Sequence, residues 1–322
     1  MALLWMDGFE AGELSPYTVS GASVATSQYR TGARSIAFGS NQWFQRALGA
    51  SPQTVIVGAG MSIPAYGTYC DLYDGSTVQL RITLASGAIT VHRGPGTTLL
   101  GTHPVSWLLN VWQYLEVMAT IDPTNGSYEL RVNGATIGSG TGLNTRNSGA
   151  SQVTAVRFTG TSSGNTVDDV YVCDTTGSYC NTFLGPVRVS HLAPTSDAST
   201  TWSRNGGSNN YGRLTDILPD GDTTYVYSTT PDAVDRYGLA DLPAEAYTVA
   251  AVASVMYVRR DGGTLSVAPL MRSGAATSEG SAVAPGSTYA AYFQPFYTDP
   301  ATGLAWTVAG INGAEIGLKV IA

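Results

Sequence analysis

Acid–base chemistry in this sequence would start from Glu116 and Asp122, whose even separation places both on one face of a regular strand. Two carboxyls about 5 to 9.5 Å apart across a sugar bond are what glycoside hydrolysis needs. Asp122-Pro123 ends the strand, however, so Glu116 is read as a solvent-face residue and Asp122 as a turn initiator. His92, His103 and His191 share no ligand spacing, and three cysteines do not supply the paired Cys/His motif of a zinc site. No Gly-x-Ser-x-Gly elbow is followed by an acid and a histidine, and no phosphate-cradling loop occurs, so no catalytic residue is assigned and the chain is read as a non-enzyme. Cys173 and Cys180 flank a six-residue loop, short enough for a disulfide, with two reduced thiols as the alternative. Cys70 reads as a small buried apolar residue. Trp202, Tyr211, Tyr225 and Tyr227 lie in or beside a polar stretch; such rings serve either as a sugar platform or as packing against a neighbouring subunit or domain.

The elements that must carry these residues follow from composition. The chain has 322 residues, enough for two domains, yet only 39 are charged (16 Lys+Arg, 23 Asp+Glu), so its surface is polar mainly through Ser, Thr, Asn and Gly. A net charge of -7, a single lysine (Lys319) and no cationic run argue against nucleic acid as a partner. No apolar run approaches the ~20 residues of a membrane span, and the acid at Asp7 after a start without basic residues argues against a secretory signal. Thirty-eight glycines without a repeating triplet, beside 43% hydrophobic residues, fit short strands joined by tight turns.

Strand patterning recurs at Gln53 to Ile63, Thr77 to Leu84, Ala88 to His92, Tyr114 to Asp122, Tyr128 to Val132, Val153 to Thr159 and Val167 to Cys173. Asp74-Gly75, Ser86-Gly87, Asn125-Gly126 and Asn133-Gly134 supply the turn chemistry of hairpins. After Phe183-Leu184-Gly185-Pro186 the composition turns polar through Ala193 to Asp216, which marks a boundary. Strand periodicity resumes at Thr223 to Ser228, Thr248 to Arg259, Thr264 to Leu270, Ser287 to Tyr297 and Glu315 to Ile321; only Asp232 to Leu239 reads as briefly helical. The expected organisation is all-β: a sandwich over 1–186, an extended linker or arm over 187–222, and a smaller C-terminal β-sandwich over 223–322.

Within the first part, Trp112-Gln113-Tyr114-Leu115-Glu116-Val117, then Ile121-Asp122, then Gly126 to Gly134 ending in Val132-Asn133-Gly134, resemble the laminin-G/concanavalin-like jelly roll. Val167-Asp168-Asp169-Val170-Tyr171-Val172 resembles its closing strand and Leu4-Trp5-Met6-Asp7-Gly8-Phe9-Glu10 its first. The retaining glucanases of that fold carry Glu-x-Asp-x-x-Glu, which is missing here. Members of the fold often bind calcium, and Asp7, Asp168 and Asp169 would converge if first and last strands pair; Asp220-Gly221-Asp222 is a shorter candidate, with turn-capping aspartates as the alternative for all. No other cofactor is expected.

The same opening and closing strands, with Leu184-Gly185-Pro186-Val187-Arg188-Val189 and Asp299 to Trp306, are similar to a group of tailed-bacteriophage virion proteins in which a jelly roll precedes a second β domain. That resemblance implies a non-enzymatic structural protein made in the host bacterial cytoplasm, as capsid decoration or cement or as a tail accessory, and the net charge of -7 sets it on the particle exterior, away from packaged DNA. Its partners would be copies of itself, as a homotrimer, and major capsid or tail proteins. The alternative is a carbohydrate-binding host-recognition module that contacts a surface glycan; a polysaccharide hydrolase is the third reading.

Overall fold

The computed structural model describes residues 2–216, 219–242 and 248–322. The chain divides into two units, Met1–Val189 and Ser190–Ala322. The first holds strands β1 (Leu3–Asp7), β2 (Thr18–Ser20), β3 (Ser23–Ala25), β4 (Ser35–Phe38), β5 (Trp43–Ala47), β6 (Thr54–Ser62), β7 (Gly67–Asp74) and β8 (Thr77–Ala85). It continues with β9 (Ala88–Arg93), β10 (Thr98–Pro104), β11 (Gln113–Thr120), β12 (Gly126–Val132), β13 (Ala135–Leu143), β14 (Ala155–Thr159) and β15 (Asn165–Asp174). These make two antiparallel sheets, β13-β12-β11-β6-β15-β4-β3 with β1 also on β15, and β10-β9-β8-β7-β14-β5-β2. The expected jelly-roll sandwich is what forms.

Turn chemistry sets the register. Gly75 and Gly87 take the positive φ that the β7–β8 and β8–β9 connections require, and Asn133 and Gly134, both at positive φ, close the β12–β13 hairpin. Between the sheets, Phe44 of β5 meets Phe38 of β4 at 5.6 Å and stacks on Phe158 of β14 at 5.1 Å. Strand β6 is buried along nearly its whole length, hence on both faces. Its outward side is covered by the chain leaving the unit, and Gly58 and Gly60 leave the room: a Cβ on Gly58 would strike the Tyr171 ring, and one on Gly60 the Arg30 side chain.

The second unit holds β16 (Pro194–Ser199), β17 (Ser203–Arg204), β18 (Val226–Tyr227), β19 (Val234–Leu239), β20 (Val252–Val258), β21 (Ser266–Ser273), β22 (Ala276–Glu279), β23 (Ala290–Phe296), the short helix α1 (Val308–Asn312) and β24 (Ala314–Ile321). A five-stranded sheet, β16-β19-β24-β21-β22, is joined by two-stranded ribbons β17-β18 and β20-β23. Met271 of the sheet and Phe296 of a ribbon share one core with Trp306, Ile311 and Ala314, so the unit is a smaller β-sandwich. Thr307 accepts the Gly310 N–H at 3.0 Å and caps α1.

One expectation is corrected. Asp232 to Leu239 is not helical: Val234–Leu239 is a strand between β16 and β24, and its alternation was hidden because the inward residue Asp235 is an acid. Residues 187–222, read as an extended linker or arm, are divided between the two units. Residues 187–189 are tied to the first unit, and Pro194–Ser199 pairs with β19 as an edge strand; residues 217 and 218 of that stretch lie outside the described residues.

Candidate functional site

The acids singled out in the first unit serve its architecture. Strand β1 does pair with β15, with Asp7 opposite Val170. Asp7, however, accepts the Tyr17 hydroxyl and the Phe9 N–H, each at 2.7 Å, and its burial pushes the carboxyl up to about 6. Asp168 accepts the N–H groups of Arg30 (2.8 Å), Thr31 (3.1 Å) and Asp169 (2.7 Å); burial first, then the neighbouring Asp169, pushes it up to about 7. Asp169, at positive φ, pairs with Arg30 at 2.6 Å, takes the Thr31 hydroxyl at 2.9 Å and holds the Val189 N–H at 2.8 Å. Each of the three is thus filled by protein donors, and among the described residues no three His, Cys, Asp or Glu side chains gather as metal ligands.

Glu116 is not on a solvent face. It is fully buried beneath the exit segment, where it accepts the Tyr171 hydroxyl and the Gly185 N–H (2.8 Å) while Tyr171 accepts the Leu184 N–H at 3.1 Å. The register that puts Glu116 opposite Gly58 aims it outward, and the returning chain then seals it in. Asp122 is the turn initiator expected, accepting the N–H groups of Thr124 (2.9 Å) and Asn125 (2.7 Å), which hold its carboxyl below the usual range. The two acids do not converge. For Cys173 and Cys180, where a disulfide and two reduced thiols are both open, the structure holds thiols. Cys173 is wholly buried at the end of β15, and that burial, followed by the nearby Cys180, pushes its thiol up. In the second unit Asp222 is engaged by Arg259 (2.9 Å) and the Tyr289 hydroxyl (3.0 Å), and Asp220 by Thr224, which accounts for the Asp-Gly-Asp turn.

Three of the four aromatic residues do come together. Ser203 pairs with Tyr227 across the β17–β18 ribbon, so Trp202 and Tyr227 border one shallow groove of about 430 Å³, completed by Ser203, Arg204, Gly206 and Gly207. The Tyr225 ring lies 5.8 Å from that of Tyr227, which is half exposed. Tyr211 does not line the groove; it starts a short 3-10 turn, with its N–H on Asp197 at 2.7 Å.

Two residues that sequence reasoning passed over hold the groove in shape. Asp235, fully buried, accepts the N–H groups of Thr201 (2.6 Å) and Trp202 (2.7 Å), the Tyr237 hydroxyl (2.7 Å) and the Asn210 amide (2.6 Å). Asn210 donates in turn to the Trp202 carbonyl at 3.0 Å and accepts from Arg204 at 3.2 Å. The Trp202 indole N–H is spent on the Ala233 carbonyl at 3.1 Å, which fixes the ring. No local signal places Asp235 on the inner side: in Val234 to Leu239 an acid and a tyrosine take the inward positions, so polar and apolar residues do not alternate.

A larger depression of about 690 Å³ on the five-stranded sheet is bordered by Thr201, Asp232, Arg236, Thr277, Glu279 and Lys319. Its cations are already paired: Lys319 with Glu279 at 3.1 Å and Asp232 at 3.6 Å, Arg236 with Glu315 at 3.6 Å. No aromatic residue among those described borders it.

The sequence matches no family profile and no curated protein. Solved structures similar to the chain include domain 4 of an extracellular arabinanase from Geobacillus stearothermophilus in complex with arabinotriose, at 15% identity over 54% of this chain and 92% of that one, TM-score 0.38. A carbohydrate binding module from Bacillus subtilis matches at 7% identity over 50% and 96%, TM-score 0.35. The binding domain of Paraclostridial Mosquitocidal Protein 1 matches at 9% identity over 74% and 75%, TM-score 0.39. At identities and scores this low, function has to be read from the groove itself.

Proposed function

We propose that the chain is a non-catalytic carbohydrate-binding protein whose sugar contact is the Trp202–Tyr227 groove. The observation that carries this reading is the convergence of two partly exposed rings with Arg204 and two loop glycines around an open, shallow depression. Ring faces take the apolar side of a sugar, while Arg204 and Ser203 meet its hydroxyls. Asp235 and Asn210 hold the rings in place before any ligand arrives, which lowers the ordering cost of binding. The test is a glycan array with the intact chain, followed by titration of the best sugar. Trp202→Ala and Tyr227→Ala are each expected to weaken binding about tenfold or more; binding that survives both substitutions overturns the assignment.

The second reading is a structural protein on the exterior of a bacteriophage particle, assembling as a trimer with itself and with capsid or tail proteins. It is supported by the virion-protein resemblance and by a charge content low enough for extensive buried interfaces. Copy number per particle separates shell decoration from a tail position. A sugar-binding tail protein would satisfy both readings.

A further inference from the structure

The Trp202–Tyr227 groove of the second unit has at one end a feature that stacking a sugar on rings does not use: two arginines gathered on one glycine. Arg204, which is exposed, donates from Nε to the Gly207 carbonyl and from Nη1 to the Asn210 side-chain oxygen, each at 3.2 Å. Arg213, half-buried, comes to the same residue from the short 3-10 turn: a Cβ built on Gly207 would stand 3.0 Å from its Cζ and Nε and 3.1 Å from its Nη2. Gly206 and Gly207 both take a φ of 67°, where a side chain is strained, and the missing Cβ of Gly207 leaves the Arg213 guanidinium its place.

Neither cation is neutralised. Among the described residues no carboxylate pairs with Arg204 or Arg213, and the Arg213 guanidinium makes no hydrogen bond; its Nε is buried without a partner. The acids tied into this corner are spent on other donors. Asp197 accepts the N–H groups of Asn210 (3.0 Å) and Tyr211 (2.7 Å), and Asp235 those of Thr201 and Trp202 with the Asn210 amide and the Tyr237 hydroxyl. The exposed N–H groups of Gly206 and Gly207 are likewise given to no acceptor among the described residues. Two guanidinium groups held on one glycine repel each other until an anion joins them, and their planar forks match the oxygens of an acid group. We propose that the Gly206–Gly207 end of the groove is an anion subsite and that the glycan bound there is acidic. Its carboxylate, sulfate or phosphate sits on Arg204 and Arg213 while its ring lies on Trp202 and Tyr227. This rests on the reading of the groove as a sugar site and adds the class of sugar. A chain of net charge -7 repels polyanions in general, so the attraction is local to this corner.

The experiment is titration calorimetry of the full chain against charged polysaccharides, each beside an uncharged twin on the same backbone: polygalacturonate with its methyl ester, and dextran sulfate and dextran phosphate with dextran. One charged form is expected to bind about tenfold or more tighter than its twin, an advantage that shrinks as salt rises; which form does so names the acid group. Arg213→Gln is expected to bring the charged-to-uncharged ratio most of the way to one, and Arg213→Lys, which keeps the charge without the fork, to leave it in between. Arg146→Gln, which removes a charge from the first unit, is expected to leave the ratio as in the parent, with circular dichroism checking that each variant folds. Replacing both Trp202 and Tyr227 by Ala is expected to weaken the charged and uncharged forms alike. Ring-dependent binding with no preference for a charged form overturns the anion subsite and leaves the sugar assignment standing. Charged-form affinity that survives the loss of both rings overturns the sugar assignment and, with it, the acidic glycan. No binding to any charged form, or a preference that Arg213→Gln leaves intact or Arg146→Gln lowers as much, overturns the proposal.

Discussion

At the scale of single residues, the acids of the first unit show how a functional-looking carboxylate differs from a structural one. Asp7 and Asp168 are withdrawn from water and pushed up from an ordinary value of 3.8 to about 6 and about 7. Between those limits the folded chain holds protons that the unfolded chain has released. The stability these groups confer is therefore complete below about pH 4 and is lost as pH rises through 6 and 7, at about 1.4 kcal/mol per pH unit for each fully held proton. Thermal unfolding of the first unit is expected at a higher temperature at pH 5 than at pH 7.5. Asp168→Asn, which cannot ionise, is expected to flatten that slope; an unaltered slope in melting curves of the variant would show that Asp168 is not its source. The same distinction explains why candidate acids were legible in sequence while their roles were not. Asp122 announced its turn through the adjoining proline, but nothing near Glu116 in the chain shows that residues almost seventy positions later fold back over it.

At the scale of elements, alternation and turn dipeptides located twelve of the twenty-four strands among the described residues, because side-chain period and positive-φ turns are local properties, whereas short edge strands carry neither signal. Val234–Leu239 escaped since its inner positions are Asp235 and Tyr237, satisfied by each other and by the Trp202 segment, a long-range arrangement. Helix α1 escaped for its length of five residues. The aromatic groove was half legible: Trp202, Tyr225 and Tyr227 stood out by type and setting, whereas the pairing of β17 with β18 that unites them is two residues long. Strand β6 yields a further expectation. Gly58 is the floor on which Tyr171 lies, so Gly58→Ala overpacks that contact and is expected to cost about 1–3 kcal/mol in chemical denaturation. An alanine tolerated without loss would mean that Tyr171 is held less tightly than its bonds to Glu116 and Leu184 require.

At the scale of the whole molecule, each unit closes a core of its own. That of the second unit is small, with Trp306 at its centre and the indole N–H on the Phe296 carbonyl at 2.9 Å. Trp306→Ala removes about 3–5 kcal/mol of packing and leaves that carbonyl without its donor. Hydrogen exchange is expected to rise throughout residues 190–322 in this variant and to stay unchanged in residues 1–189; faster exchange in both would contradict separate cores. Among the described residues no helix is long and apolar enough to cross a membrane.

The pairing of β1 with β15 has one more consequence. Leu3 stands opposite Cys173, so the first and last strands of the first sandwich are neighbours. Past Asp174 the chain does not depart but doubles back, crossing Glu116 at Gly185 and reaching Asp169 at Val189, so the unit fastens shut on a latch of loop rather than on its final strand.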